Sequence, residues 1–78
     1  MTVKVEQKHI RGATIKSSCD CPIARALREQ HPRQGVWYVF LDRACLFPGG
    51  SYPLPEKAME FMNDMLQDKP VKPFVFDM

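Results

Sequence analysis

The stretch "GVWYVFL", residues 35–41, is the most apolar run of this 78-residue chain. After Gly35 it has six apolar residues in a row, rich in β-branched and aromatic types. Such a run is too short for a buried helix and is typical of a strand. Alternate side chains of a strand point to opposite sides, so its two faces consist of Trp37, Val39 and Leu41, and of Val36, Tyr38 and Phe40. Both faces are apolar, and the sequence therefore predicts that one of them lies in the core and the other needs a further cover.

The segment before this run predicts one strand and one helix. Apolar and charged residues alternate over residues 2–7, which is the pattern of a half-buried strand. A polar loop is expected over residues 8–18. A helix then begins at Asp20, a good N-cap, with Pro22 in its first turn, where the missing N–H costs nothing. Pro32 ends it, because the residue before a proline avoids the α region.

The segment after the run predicts two strands and one helix. A short strand is expected over residues 44–47, and "PGGSYPLP", residues 48–55, has the turn-forming composition of a loop. Pro55 opens the second helix at its first position, and the apolar residues that follow recur at three- and four-residue spacing. The last strand is expected over residues 72–78.

This order, β-α-β-β-α-β, predicts an α+β fold. We expect a small antiparallel sheet with both helices packed on one face. The nearest standard topology is the ferredoxin-like split βαβ unit. The length of the chain predicts a single domain over residues 1–78.

Composition predicts a protein of the cytoplasm that needs no cofactor. The net charge is only +2, and no apolar run approaches the length of a membrane span. The first residues lack the apolar segment of a secretory signal. An odd number of cysteines, three, argues against a disulfide framework.

The cysteines raise the question of a metal site. Cys19, Cys21 and Cys45, with His9 or His31, could supply four zinc ligands, but the one-residue spacing and the scattered third cysteine are not typical of zinc sites. A reactive Cys21 thiol at the start of the helix is a second interpretation. The favoured interpretation is that Cys21 and Cys45 fill core space, as free cysteines commonly do.

The charged residues offer two candidate binding surfaces. A basic group surrounds the first helix and consists of Arg25, Arg28 and Arg33, with Arg11 and Lys16. It could contact phosphates or an acidic protein surface, and a nucleic-acid-binding module is one alternative function. An acidic ridge on the second helix consists of Glu56, Glu60 and Asp64, with Asp68. We expect this ridge to be solvated or to bind a partner.

No arrangement of residues predicts catalysis. Neither His9 nor His31 has a neighbour in the sequence that would complete a catalytic dyad, and no phosphate-binding loop is present. The sequence therefore predicts a protein that is not an enzyme.

Three stretches, "CPIARAL", "YPLPEKAMEFM" and "KPVKPFVFDM", together with "HIRG", resemble small uncharacterised proteins encoded by bacteriophages and prophages. The similarity covers nearly the whole chain. The resemblance implies a viral accessory protein made in the bacterial host cytoplasm. Proteins of this kind commonly bind a host complex, including as anti-defence inhibitors such as anti-CRISPR proteins, and the resemblance carries no catalytic residues.

The sequence and the resemblance together predict protein binding. We expect the surface to combine Trp37 and Tyr38 with Arg25 and Arg28, or with the acidic residues Glu56, Glu60 and Asp64. The favoured partner is a host protein complex, and a second copy of the chain is an alternative cover for the apolar strand. A third alternative is that the chain ends and the loop over residues 48–55 cover it within the monomer. A nucleic-acid-binding module and a zinc-stabilised mini-domain stay open as alternative functions, whereas no contact with a membrane is expected.

Overall fold

The computed structural model describes all 78 residues and has three helices and two small antiparallel sheets. The elements are β1 (Thr2–Val5), α1 (Gln7–Ile10), α2 (Pro22–Gln30), β2 (Val36–Val39), β3 (Arg43–Phe47), β4 (Ser51–Pro53), α3 (Glu56–Leu66) and β5 (Phe74–Asp77). The α+β fold class is confirmed. None of these helices has both the length and the apolar character needed to cross a bilayer.

The strands form two sheets where one was expected. β1 pairs with β5, while β2, β3 and β4 form a separate sheet in that order. The free edge of β1 is occupied by the side chain of Gln30, which accepts from the Lys4 N–H at 2.8 Å and donates to the Lys4 carbonyl at 2.6 Å. His31 Nε2 donates to the Thr2 carbonyl on the same edge, at 2.6 Å. These side chains occupy the backbone groups that a third strand would need, so the single ferredoxin-like sheet does not form.

Two short elements lie where loops were expected. α1 begins after Glu6. The Glu6 N–H donates to His9 Nδ1 at 2.9 Å in a capping box. β4 pairs with β3 within the Pro- and Gly-rich stretch, with Ser51 opposite Cys45. It is an edge strand, where the missing N–H of Pro53 leaves no ladder bond unmade.

The two longer helices each begin one residue later than predicted. Cys21, not Asp20, is the N-cap of α2, and its Sγ accepts from the Ala24 N–H at 3.4 Å. Pro22 occupies the first helical position, as expected. Pro55 is the N-cap of α3 instead of its first residue.

The core lies between the two sheets and the inner sides of α2 and α3. The first sheet contributes Val3, Val5 and Phe76, and the second contributes Trp37, Val39, Ala44 and Leu46. The indole of Trp37 is only 2% exposed. Its Nε1 donates to the His31 carbonyl at 3.0 Å, and its ring lies 5.7 Å from that of Tyr52. Trp37 therefore connects the second sheet to the end of α2.

Gly35 fixes how β2 enters the second sheet. Its φ is +125°, which side chains rarely allow, and a Cβ at this position would overlap the Phe47 carbonyl oxygen of the neighbouring strand. The strand can begin here only because the residue has no side chain.

We expect Gly35→Ala to lower the free energy of unfolding by about 3 kcal/mol or more. Gly12→Ala is the matched control, because Gly12 also has a positive φ, +72°, but has open space around it. It should cost about 1–2 kcal/mol. Urea unfolding followed by Trp37 fluorescence measures both, and equal losses would show that the contact with Phe47 is unimportant.

Candidate functional site

One face of the second sheet has no other element packed on it. Strand alternation and the register of β2, β3 and β4 place eight side chains there. This outer face consists of Val36, Tyr38, Phe40, Arg43, Cys45, Phe47, Ser51 and Pro53. Phe47 is 69% exposed, Val36 opposite it is 46% exposed, and Phe40 is 43% exposed. The outer face therefore exposes several large apolar side chains to solvent.

This arrangement decides which side of the apolar strand is uncovered. Tyr38 lies on the outer face and is half-buried. Trp37 does not, and its expected place on a binding surface is wrong, because its indole fills the core. Leu41 lies beyond the end of β2 and is exposed although it shares the strand parity of Trp37.

The polar groups of the outer face are few. The Arg43 guanidinium lies 5.5 Å from the centre of the Phe40 ring, in a cation–π contact. Cys45 is half-buried and its Sγ lies 3.8 Å from Ser51 Oγ. The expected core position of Cys45 is therefore wrong. Arg43 is the one charged residue of this face.

A cavity of about 340 Å³ borders the outer face at Phe40. It is lined by Ile15, Lys16, Ser18, Val39, Phe40, Leu41 and Met62. Buried Val39 and Met62 form its base, and the loop that precedes α2 forms one wall. The loop is tied to β2, because the Val39 N–H donates to the Ser18 carbonyl at 2.7 Å.

The two arginines of α2 form hydrogen bonds with other residues of the same chain. Arg25 binds Asp20 at 3.0 Å and donates to the carbonyls of Arg11 and Gly12 at 2.8 and 3.3 Å. Arg28 donates to the Cys19 carbonyl. Both guanidinium groups therefore hold the loop before α2. Arg25 is largely committed to these contacts, whereas Arg28 is exposed, is in no ion pair and keeps free N–H donors.

The acidic ridge lies along α3, away from the outer face. Glu56 and Glu60 are exposed, Asp64 is half-buried, and none of the three is in an ion pair within 4.0 Å. Glu60 and Asp64 line a second cavity of about 320 Å³ together with Lys57, whose Nζ donates to the Val75 carbonyl at 3.0 Å. The structure does not bring these residues together with the predicted aromatic strand.

The cysteines do not converge on one point. Cys19 contacts Ser17, Cys21 caps α2, and Cys45 lies on the second sheet. Burial raises the pKa of the Cys21 thiol above its ordinary value, and this effect exceeds the opposing helix N–H groups. The thiol stays protonated at neutral pH, which is contrary to a reactive Cys21.

A cluster that spacing did not predict surrounds His9. Glu6, His9 and Glu29 offer ligand atoms within 4.8 Å of one another. However, His9 is buried and uses both ring nitrogens, Nδ1 with the Glu6 N–H and Nε2 with Glu29 Oε1 at 3.2 Å. Lys8 Nζ neutralises Glu29 from 2.9 Å. The cluster joins α1 to α2, and its groups are already satisfied by one another.

Comparison with known proteins gives no further guide to this site. No protein-family model matches the chain, and neither a curated protein nor a solved structure is similar to it.

Sequence reasoning missed Phe47 and Arg43 as members of the outer face. The signal was present in the alternation of β3, where exposed Arg43 and Phe47 flank buried Ala44 and Leu46. The sequence predicted Lys16 near the first helix. Its position beside an apolar cavity was not predictable, because it depends on the fold of the loop.

The Lys8–Glu29 pair makes stability depend on pH. The hydrogen bond from Lys8 holds the pKa of Glu29 below its ordinary value of 4.5. A carboxylate with a lowered pKa stabilises the fold above its unfolded pKa, and the contribution is lost as pH falls through the folded pKa.

We expect Glu29→Gln to be less stable than the parent near neutral pH, and the difference in melting temperature to shrink between about pH 5 and about pH 2. Glu60→Gln is the matched control, because it removes an exposed carboxylate from the middle of a helix where it has no ion pair. A difference between Glu29→Gln and the parent that stays constant over this range would contradict the role of the pair.

Proposed function

We propose that this protein is a non-enzymatic binding module that docks on another protein through the outer face of its second sheet. The observation that carries the proposal is the exposure of Phe47 and Val36 at one end of that face and of Phe40 at the other, with half-buried Tyr38 between them. Contiguous exposed apolar side chains on small proteins mark association sites. The aromatic rings of the face and its arginine are residue types enriched at protein interfaces.

The charge of the outer face favours a partner of different sequence over a second copy. Arg43 is its single charged residue and no carboxylate is among the eight. Two outer faces packed together would bring two guanidinium groups into one apolar contact without a counter-charge, which is costly. A foreign partner can supply a carboxylate opposite Arg43.

The resemblance to small phage-encoded proteins supports a bacterial host complex as the partner. An inhibitor of a defence complex, including a CRISPR effector, fits a small module that acts by covering a surface. The alternatives have less support. Arg25 and Arg28 already bind internal carbonyls, which weakens a nucleic-acid function, and the separated cysteines weaken a zinc-stabilised one.

Capture of a partner from host lysate tests the proposal when variants of the outer face are compared with the parent protein. We expect Phe40→Gln and Phe47→Gln each to weaken binding of the captured partner at least about tenfold, since central interface aromatics carry much of the binding energy. Leu66→Gln on α3 is the matched control, because Leu66 is also exposed, at 51%, but lies outside this face. It should leave capture unchanged.

Sedimentation of the parent protein separates the two possible occupants of the face. A monomer that captures a partner only with the outer face intact supports the proposal. A dimer that Phe47→Gln converts to monomer would make a second copy the occupant and overturn it. Equal capture by the Phe47→Gln and Leu66→Gln variants would also overturn it.

A further inference from the structure

The outer face is too small to be a whole interface. It has eight residues, whereas a stable interface of standard size uses about 20–30 on each side. The contact must therefore extend over a neighbouring surface. Phe40 is a member of the outer face and also lines the 340 Å³ cavity, so the cavity adjoins the face at this residue.

The size and lining of the cavity suit an apolar side chain. Its volume lies at the lower end of the roughly 300–1,000 Å³ range of ligand pockets. Five of its seven lining residues are apolar, and Val39 and Met62 close the base. The cavity therefore has the size of a site that accepts one apolar side chain.

The polar groups of the cavity add a charge preference. Lys16 is exposed and is in no ion pair, since the salt bridges of the protein involve other cations. The Ser18 carbonyl accepts from the Val39 N–H, which fixes this residue at the cavity. No carboxylate lines the cavity, and Asp42 lies in the turn that follows. An occupant that brings an anion next to its apolar group would therefore find an unpaired cation.

We propose that the cavity receives an apolar side chain of the protein partner, followed in the partner by an aspartate or glutamate whose carboxylate binds Lys16. The inference rests on the proposed function and specifies the chemistry of the partner. Arg43, in cation–π contact with the Phe40 ring, extends the same preference for carboxylates along the outer face.

Two small peptides that differ only in charge test this assignment. Acetyl-Leu-Asp-amide offers the apolar side chain with a carboxylate, and acetyl-Leu-Asn-amide offers the same shape without charge. In an amide-resolved NMR titration, the Leu-Asp peptide should shift resonances of residues 15–18 and 39–41. The Leu-Asn peptide should bind about two- to fivefold more weakly, which is the worth of one exposed ion pair.

Substitution of the cation completes the test. Lys16→Gln should reduce the affinity of the Leu-Asp peptide to that of the Leu-Asn peptide. Lys69→Gln removes a lysine outside the cavity lining and should change neither affinity. Equal binding of the two peptides, shifts elsewhere, no binding, or equal effects of the two lysine variants would each overturn the assignment.

The outcome is distinguishable from that of the proposed function. If peptide binding fails while capture still depends on Phe47, the outer face binds its partner without this anchor. If capture fails while the Leu-Asp peptide binds the cavity, the protein-docking function is wrong and the chemistry of the cavity stands.

Discussion

The register of β2 is the constraint on which the rest of this structure depends. A shift by one residue would exchange the buried and exposed sides of the strand. The indole of Trp37 prevents this shift, because it fills the core and its Nε1 bonds the His31 carbonyl at the end of α2. Gly35 contributes from the other side, since only a residue without a side chain fits beside the Phe47 carbonyl. With the inner side fixed, Val36, Tyr38 and Phe40 can only face outward.

The loop before α2 forms a cavity beside this exposed strand. Arg25 and Arg28 hold the carbonyls of residues 11, 12 and 19, and Ser18 accepts the Val39 N–H at the edge of β2. These bonds bring Ile15 and Lys16 beside Phe40 and Leu41. The arginines thus act on the candidate site through the backbone they position, and the charge of Arg25 is paired with Asp20.

The elements of the fold were predictable wherever one apolar period dominated. Alternation predicted β1 and β5, a short unbroken apolar run predicted β2 with β3 after it, and three- and four-residue spacing predicted α2 and α3. The division into two sheets was not predictable, because it depends on the amide of Gln30 meeting the backbone of Lys4, 26 residues away. The choice of the exposed side of β2 was not predictable either. Both sides are apolar, and only the bond from Trp37 to His31 and the contact with Tyr52 select the inner one.

Hydroxyl-radical footprinting of the monomer, read by mass spectrometry, tests most directly whether one side of β2 is covered and the other open. Phe47 and Phe40, 69% and 43% exposed, should be oxidised readily, whereas Trp37 at 2% should be protected in spite of its more reactive ring. Oxidation of Trp37 at the rate of Phe47, or protection of Phe47 in a monomer, would contradict this account of the sheet and of the surface it offers to a partner.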